Sequence, residues 1–154
     1  MHHRIPFVVV CCLCCAFVAA HDSVPRDWKP ERVEPAHAHA PTPLPDRVVL
    51  TWAGDPATTQ AVTWRTDTSV EAGLAEIAVA NDNGRALRPR PVRASTQLFE
   101  SDLNAAHYHT VEFQGLEPET LYAYRVGDGV NWTEYFHFRT ASREPKPFTF
   151  IYFG

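Results

Sequence analysis

Two histidines one residue apart occur twice in this chain, as His37-Ala38-His39 and as His107-Tyr108-His109. Imidazoles at that spacing are the first place to look for metal chemistry, because residues i and i+2 of an extended strand share a face. Each pair could present two nitrogen ligands. Two make a poor site, since zinc takes three or four protein ligands, and nothing at a suitable spacing supplies the rest. Glu100, Asp102 and Glu112 raise a second question, that of paired carboxylates for general acid–base work. No pattern in the sequence places two of them across a cleft, and solvated rim carboxylates are the default for such residues. Asn131-Trp132-Thr133 satisfies the rule for N-glycosylation. Gly-rich phosphate loops, Gly-x-Ser-x-Gly elbows and internal repeats are absent. The residues themselves thus assign no catalytic, metal-ligating or cofactor-binding role.

The elements that carry these side chains begin with a targeting segment. Met1 to Pro6 includes the charged Arg4, and an unbroken apolar run follows from Phe7 to Ala20. That run is shorter than the roughly 20 apolar residues that span a bilayer, and Val18-Ala19-Ala20 supplies small residues for a signal peptidase. Residues 1–20 therefore read as a signal peptide, cleaved after Ala20, with a secreted or periplasmic product and no membrane contact after cleavage. All four cysteines, Cys11, Cys12, Cys14 and Cys15, lie inside it, so the mature chain has no disulfide. A domain without disulfides must hold itself together through its core, and 45% hydrophobic residues allow one. Loss of Arg4 with the leader moves the net charge from −4 to −5. With no basic patch, nucleic acid and anionic membranes are not expected partners.

Residues 21–45 hold Pro25, Pro30, Pro35, Pro41, Pro43 and Pro45 with little apolar periodicity. Proline fixes φ and removes a donor, so a Pro-rich, disordered, polyproline-like linker is expected there. From residue 46 the texture becomes short period-2 stretches between turn signals, the pattern of an antiparallel β-sandwich. Val48, Leu50 and Trp52 should share a core face; so should Val62 and Trp64, Ile77 and Val79, Val111 and Phe113, then Tyr122, Tyr124 and Val126, then Phe136 and Phe138. Asn83-Gly84 and Gly127-Asp128-Gly129 signal turns. Pro89 and Pro91 confine the polar span Arg85 to Asp102 to an edge strand or loop. His107 and His109 fall on the side of Val111 and Phe113, where a hydrogen-bonded, partly buried pair is expected. His137 should be on the surface.

Leu116-x-Pro118-x-Thr120-x-Tyr122-x-Tyr124-x-Val126 resembles the fibronectin type III superfamily, in which a tyrosine-corner residue follows this turn. Tyr122 matches that residue and Trp64 the buried tryptophan of the second strand; Leu116, Pro118 and Tyr124 complete the structural set. The resemblance covers residues 46–141. Taken with Arg125-Val126-Gly127, the connector at residues 142–147 and the run Phe148 to Gly154, it is similar to the N-terminal domain of purple acid phosphatase-like metallophosphoesterases. That resemblance implies an all-β accessory domain ahead of an α/β catalytic domain, whose first apolar strand would be residues 148–154. A strand buried on both faces does read as such a continuous apolar run. On this reading the chain is a fragment ending one residue before the first metal-ligand Asp.

The resemblance further implies a parent that hydrolyses phosphate monoesters with two metal ions, iron with zinc, manganese or iron, every ligand lying in the catalytic domain. No catalytic, metal or cofactor residue is carried over to this chain, and it is expected to be inactive alone, with the catalytic domain in cis, or a second copy, as partner. Two other readings stay open. One is a free-standing module that binds a protein or glycan through a patch such as Tyr135, His137 and Arg139. The other is a metal carrier using His37, His39, His107 and His109. A final strand pairing with the sandwich or a partner is the alternative for residues 148–154.

Overall fold

The computed structural model describes residues 29–153. The signal peptide expected at residues 1–20 and the start of the expected linker lie outside the described residues. Residues 29–32 are exposed and belong to a separate unit, while a second compact unit begins at Val33.

Eight strands build that second unit: β1 (Asp46–Thr51), β2 (Gln60–Thr66), β3 (Leu74–Val79), β4 (Arg90–Arg93), β5 (Ser95–Glu100), β6 (Ala105–Phe113), β7 (Leu121–Gly127) and β8 (Phe136–Arg139). They form two four-stranded antiparallel sheets, in the orders β1-β2-β6-β5 and β4-β3-β7-β8. The architecture is the expected β-sandwich. β4 and β5 are both edge strands, which is why Pro91 is tolerated: an edge position need not donate to a neighbour. Between them the chain crosses from one sheet to the other at Ala94, whose N–H donates to Gly73 O at 3.0 Å.

The core sits between the sheets and consists of the alternating residues the sequence points to. Val62, Trp64, Ile77, Val111, Phe113, Leu116, Tyr122, Tyr124, Val126 and Phe138 are buried, with Val48, Leu50 and Phe136 packed against them. Tyr122 and Phe138 stack at 5.6 Å between ring centroids. Each fully buried side chain of this size contributes roughly 1.5–3 kcal/mol, and together they stand in for the missing disulfides.

Three expectations need correction. Trp52 is not a core residue: β1 pairs only as far as Thr51, and the turn begun by Gly54-Asp55-Pro56 carries Trp52 past the end of the core, where it is 72% exposed. Val79 shares the inward side of β3, yet β4 stops opposite Ile77, so Val79 is flanked only by β7, at Tyr122, and is 55% exposed. The third concerns the linker at residues 21–45, which is expected to be disordered. Residues 33–45 fold back on the sandwich, with a short helix α1 (Pro35–Ala38). Pro35 occupies the first turn, where its missing N–H is not needed. Carbonyls then anchor the segment: Ala36 O accepts from Asn104 Nδ2 (3.2 Å), His39 O from Arg65 Nη1 (3.0 Å) and Thr42 O from Asp67 N (2.8 Å).

Residues 148–153 belong to neither sheet and are exposed. Of the alternative, pairing with the sandwich or with a partner, the first is not what the structure has.

Candidate functional site

His109 is fully buried, as is Thr66 beside it. β6 turns His109 inward beside Trp64, ring centroids 5.3 Å apart. Its Nε2 is 2.8 Å from Thr66 Oγ1 and its Nδ1 2.8 Å from Thr96 Oγ1. A neutral imidazole has one donor and one acceptor nitrogen, and rotatable hydroxyls satisfy either tautomer. Both nitrogens are therefore committed. Burial first, then the neighbouring His107, holds the His109 pKa below the ordinary histidine value. His107 Nδ1 pairs with Val70 O at 2.8 Å. Gly73 makes this packing feasible, because a Cβ there would stand 2.7 Å from both the His109 and Trp64 rings. The pair is structural, and among the described residues no three His, Cys, Asp or Glu side chains gather to hold a metal ion.

A second cluster lies on the outer face of β3 and β7. Arg125 Nε donates to Glu76 Oε2 at 2.8 Å, and its guanidinium lies 4.4 Å from the Trp132 ring centroid and 5.0 Å from that of Tyr135. Cation–π contacts of this kind add about 0.5–1 kcal/mol where exposed. The turn that delivers Trp132 is held by Asp128, whose Oδ1 accepts from Val130 N (2.8 Å) and Asn131 N (2.6 Å). Burial alone would raise the Asp128 carboxyl, but these N–H donors outweigh it and hold the pKa below the usual value. Asn131 is half-buried and donates from Nδ2 to Asp128 Oδ2 at 3.1 Å. That amide has two protons, so a glycan attached at Nδ2 leaves one for Asp128.

The third place is the end at which the chain leaves the sandwich. Tyr122 Oη accepts from Glu117 N at 2.8 Å, the expected corner. Leu116 plugs the core and donates its N–H to Thr58 O (3.0 Å), while Thr120 Oγ1 donates to Pro118 O (2.9 Å). Thr140 Oγ1 donates to Glu117 O (2.6 Å) and accepts from Thr120 N (2.9 Å). Glu119 adopts a left-handed φ of 53°, with its N–H on Ala141 O and its carbonyl accepting from Arg139 Nη1 at 2.7 Å. Lys146 pairs with the Glu119 carboxylate. Above these ties opens a cleft of about 540 Å³, with Trp52, Pro56, Arg139, Pro147 and Phe148 in its walls.

Glu100, Asp102, Glu112 and His137 are exposed and form no cluster. Tyr135, His137 and Arg139 do not assemble as one patch: Tyr135 turns to Glu76, while Arg139 turns to Glu119 in the exit cleft. The sequence reading passed over Gly73, Thr66, Thr96 and Glu76. Thr66 was findable, because it continues the inward alternation of Val62 and Trp64; the others depend on long-range packing.

Comparison with known proteins places the sandwich in a family. The family described as "Purple acid Phosphatase, N-terminal domain" matches residues 45–140. Among solved structures, a computer-based redesign of a β-sandwich protein is similar at 23% identity and a TM-score of 0.42, covering 65% of this chain and 96% of that one. The FN1–FN3 domains of chicken CNTN1 align at 19% identity and a TM-score of 0.43, over 66% of this chain and 31% of theirs. The fn3 domain of human contactin 1 aligns at 15% identity and 0.43, over 68% and 82%. No curated protein matches the sequence.

Proposed function

The chain belongs to the purple acid phosphatase N-terminal domain family, and on that premise we propose that it is the accessory, non-catalytic sandwich of an exported binuclear-metal acid phosphatase. The observation that carries this reading is the agreement between the matched residues 45–140 and the sandwich from β1 to the end of β8. The parent hydrolyses phosphate monoesters, and its two metal ions, iron with zinc, manganese or iron, supply the polarised phosphoryl oxygens and the hydroxide nucleophile. The residues described here do not fit that metal pair. His109 has both nitrogens committed, and no third ligand approaches His107. The part of this chain is mechanical: to carry and orient the catalytic domain that follows it in cis. Asn131 is the glycosylation site if the source attaches N-glycans.

The test is to sequence the transcript past the Gly154 codon, purify the encoded protein and assay it on an aryl phosphate with and without chelator. Expected are an Asp next, further His, Asn and Asp ligands downstream, and chelator-sensitive hydrolysis by the parent but not by residues 21–154. A stop codon after Gly154, or hydrolysis by the sandwich alone, sinks the reading.

A further inference from the structure

We propose that the exit cleft, centred on Trp52 and Phe148, is the surface on which the segment following residue 153 of the parent phosphatase docks in cis. The inference rests on the accessory-domain reading above and adds to it the place of contact. Four observations carry it.

The first is the exposed aromatic itself. Trp52 is 72% exposed although tryptophan buries 150–250 Å² when covered, and it is not isolated: Pro56, Pro147 and Phe148 share its cleft. The second is the rim. Glu119, Arg139, Glu144 and Lys146 surround that apolar centre with charges of both signs, the arrangement of an apolar interface core within a polar border.

The third is continuity. Residues 142–148 form part of the cleft wall, anchored by Ala141 N on Pro56 O (2.9 Å) and by Lys146 on Glu119. Five further residues reach at most about 18 Å even when fully extended, so a domain attached after residue 153 starts beside Trp52. A tether this short holds it at millimolar effective concentration, enough for modest apolar contacts to close. The run from Phe148 to Phe153 leads from the cleft toward that segment, with Phe148, Phe150, Ile151, Tyr152 and Phe153 all largely exposed here.

The fourth is that the opposite end is taken. Ala36, His39 and Thr42 already seat their carbonyls on Asn104, Arg65 and Asp67. Leu98, Phe99 and Leu103 are also exposed, but they lie on β5 and the loop after it, toward that leader-covered end, and no chain leads away from them.

Oxidative footprinting read by mass spectrometry tests the docking. Trp52 oxidation is followed in the full-length parent and in residues 21–154, with half-buried Trp132 as the internal reference. Docking in cis slows Trp52 oxidation several-fold in the parent and leaves Trp132 unchanged. In the parent, Trp52→Ser should speed protease cleavage within residues 142–147 several-fold; because Trp52 supports no core contact, the variant folds. Equal oxidation of Trp52 in both proteins overturns the proposal. So does protection that appears in residues 21–154 alone as concentration rises, which would assign the cleft to a second copy. Phosphatase activity measured on the same preparation separates the two claims. An active parent with unprotected Trp52 loses the docking and keeps the function. An inactive parent with protected Trp52 does the reverse. A transcript that stops after Gly154 removes both.

Discussion

At the end of the sandwich where β2 finishes, the chain has covered itself: residues 33–45 cross back, His39 caps the Arg65 guanidinium, and Asp46 closes a two-pronged ion pair with the same side chain at 2.8 and 2.5 Å. At the end where β1 finishes, the loops are tied by Tyr122 and Thr140, yet Trp52 and the run after Phe148 face solvent. Both ends are ordered by partly buried hydrogen bonds. They differ only in the outer layer, which teaches that exposed apolar surface at the exit is not looseness. A covered end contributes to the stability of the sandwich through its outer layer as well as its internal ties, whereas at the open end only the internal ties contribute and the exposed surface remains available for contact.

Substitutions should therefore be costly at the covered end and nearly silent on the open surface. The largest effect is expected from Asp46→Ala, which strands the 7% exposed Arg65 side chain. Breaking a fully buried pair costs roughly 3–5 kcal/mol, and because Asp46 is 42% exposed the loss here should be nearer about 2. Urea denaturation measures it, and an unchanged midpoint would remove the distinction between the ends.

Gly73→Ala comes next. Its Cβ would press on the His109 and Trp64 rings, and overpacking of this kind costs about 1–3 kcal/mol, visible as a lower Tm. Retention of the wild-type Tm would show that the ring pair can move.

Tyr122→Phe sharpens the comparison within the open end by removing only the acceptor for Glu117 N. A net hydrogen bond is worth about 1 kcal/mol, so thermal unfolding should shift modestly and the core should survive. Trp52→Ala in this same end should change the stability of the isolated sandwich by less than about 0.5 kcal/mol. If Trp52→Ala costs more than Tyr122→Phe, the exit surface is part of the fold and not a free face.

The smallest effect is on pH. The folded-state pKa of His109 lies below the ordinary value of 6.5. Below that value the unfolded chain binds the proton more readily, so stability is fully present above about 6.5 and falls as pH drops through the lower folded-state pKa. Denaturation midpoints at mildly acidic and neutral pH should show this decline, reduced in His109→Gln. A stability that rises on acidification would contradict a neutral, buried His109.

Much of the sandwich was legible because alternation is a local signal. Val111, Phe113, Tyr122, Tyr124, Val126 and Phe138 each declare a face through their neighbours two residues away. The same rule failed at Trp52 and Val79, since alternation says which way a side chain points and not whether a neighbouring strand extends far enough to cover it. The leader was misread for a related reason. Its prolines were read as extended chain, while the partners that fix it, Arg65, Asp67 and Asn104, come 20 residues or more later.

By itself the sequence determined the strands, the edge positions of the proline-bearing span, the corner tyrosine, the family and the absence of any metal-ligand motif. The strands and edge positions follow from residue type and spacing, while the corner tyrosine and the family follow from likeness to known sequences. Tertiary structure decided which end of the sandwich the chain covers, that His109 is satisfied by two threonines instead of a ligand, and that Trp52 is left outside. Those outcomes depend on where strands stop relative to partners distant in sequence, a property of the assembled sheets that no local pattern encodes.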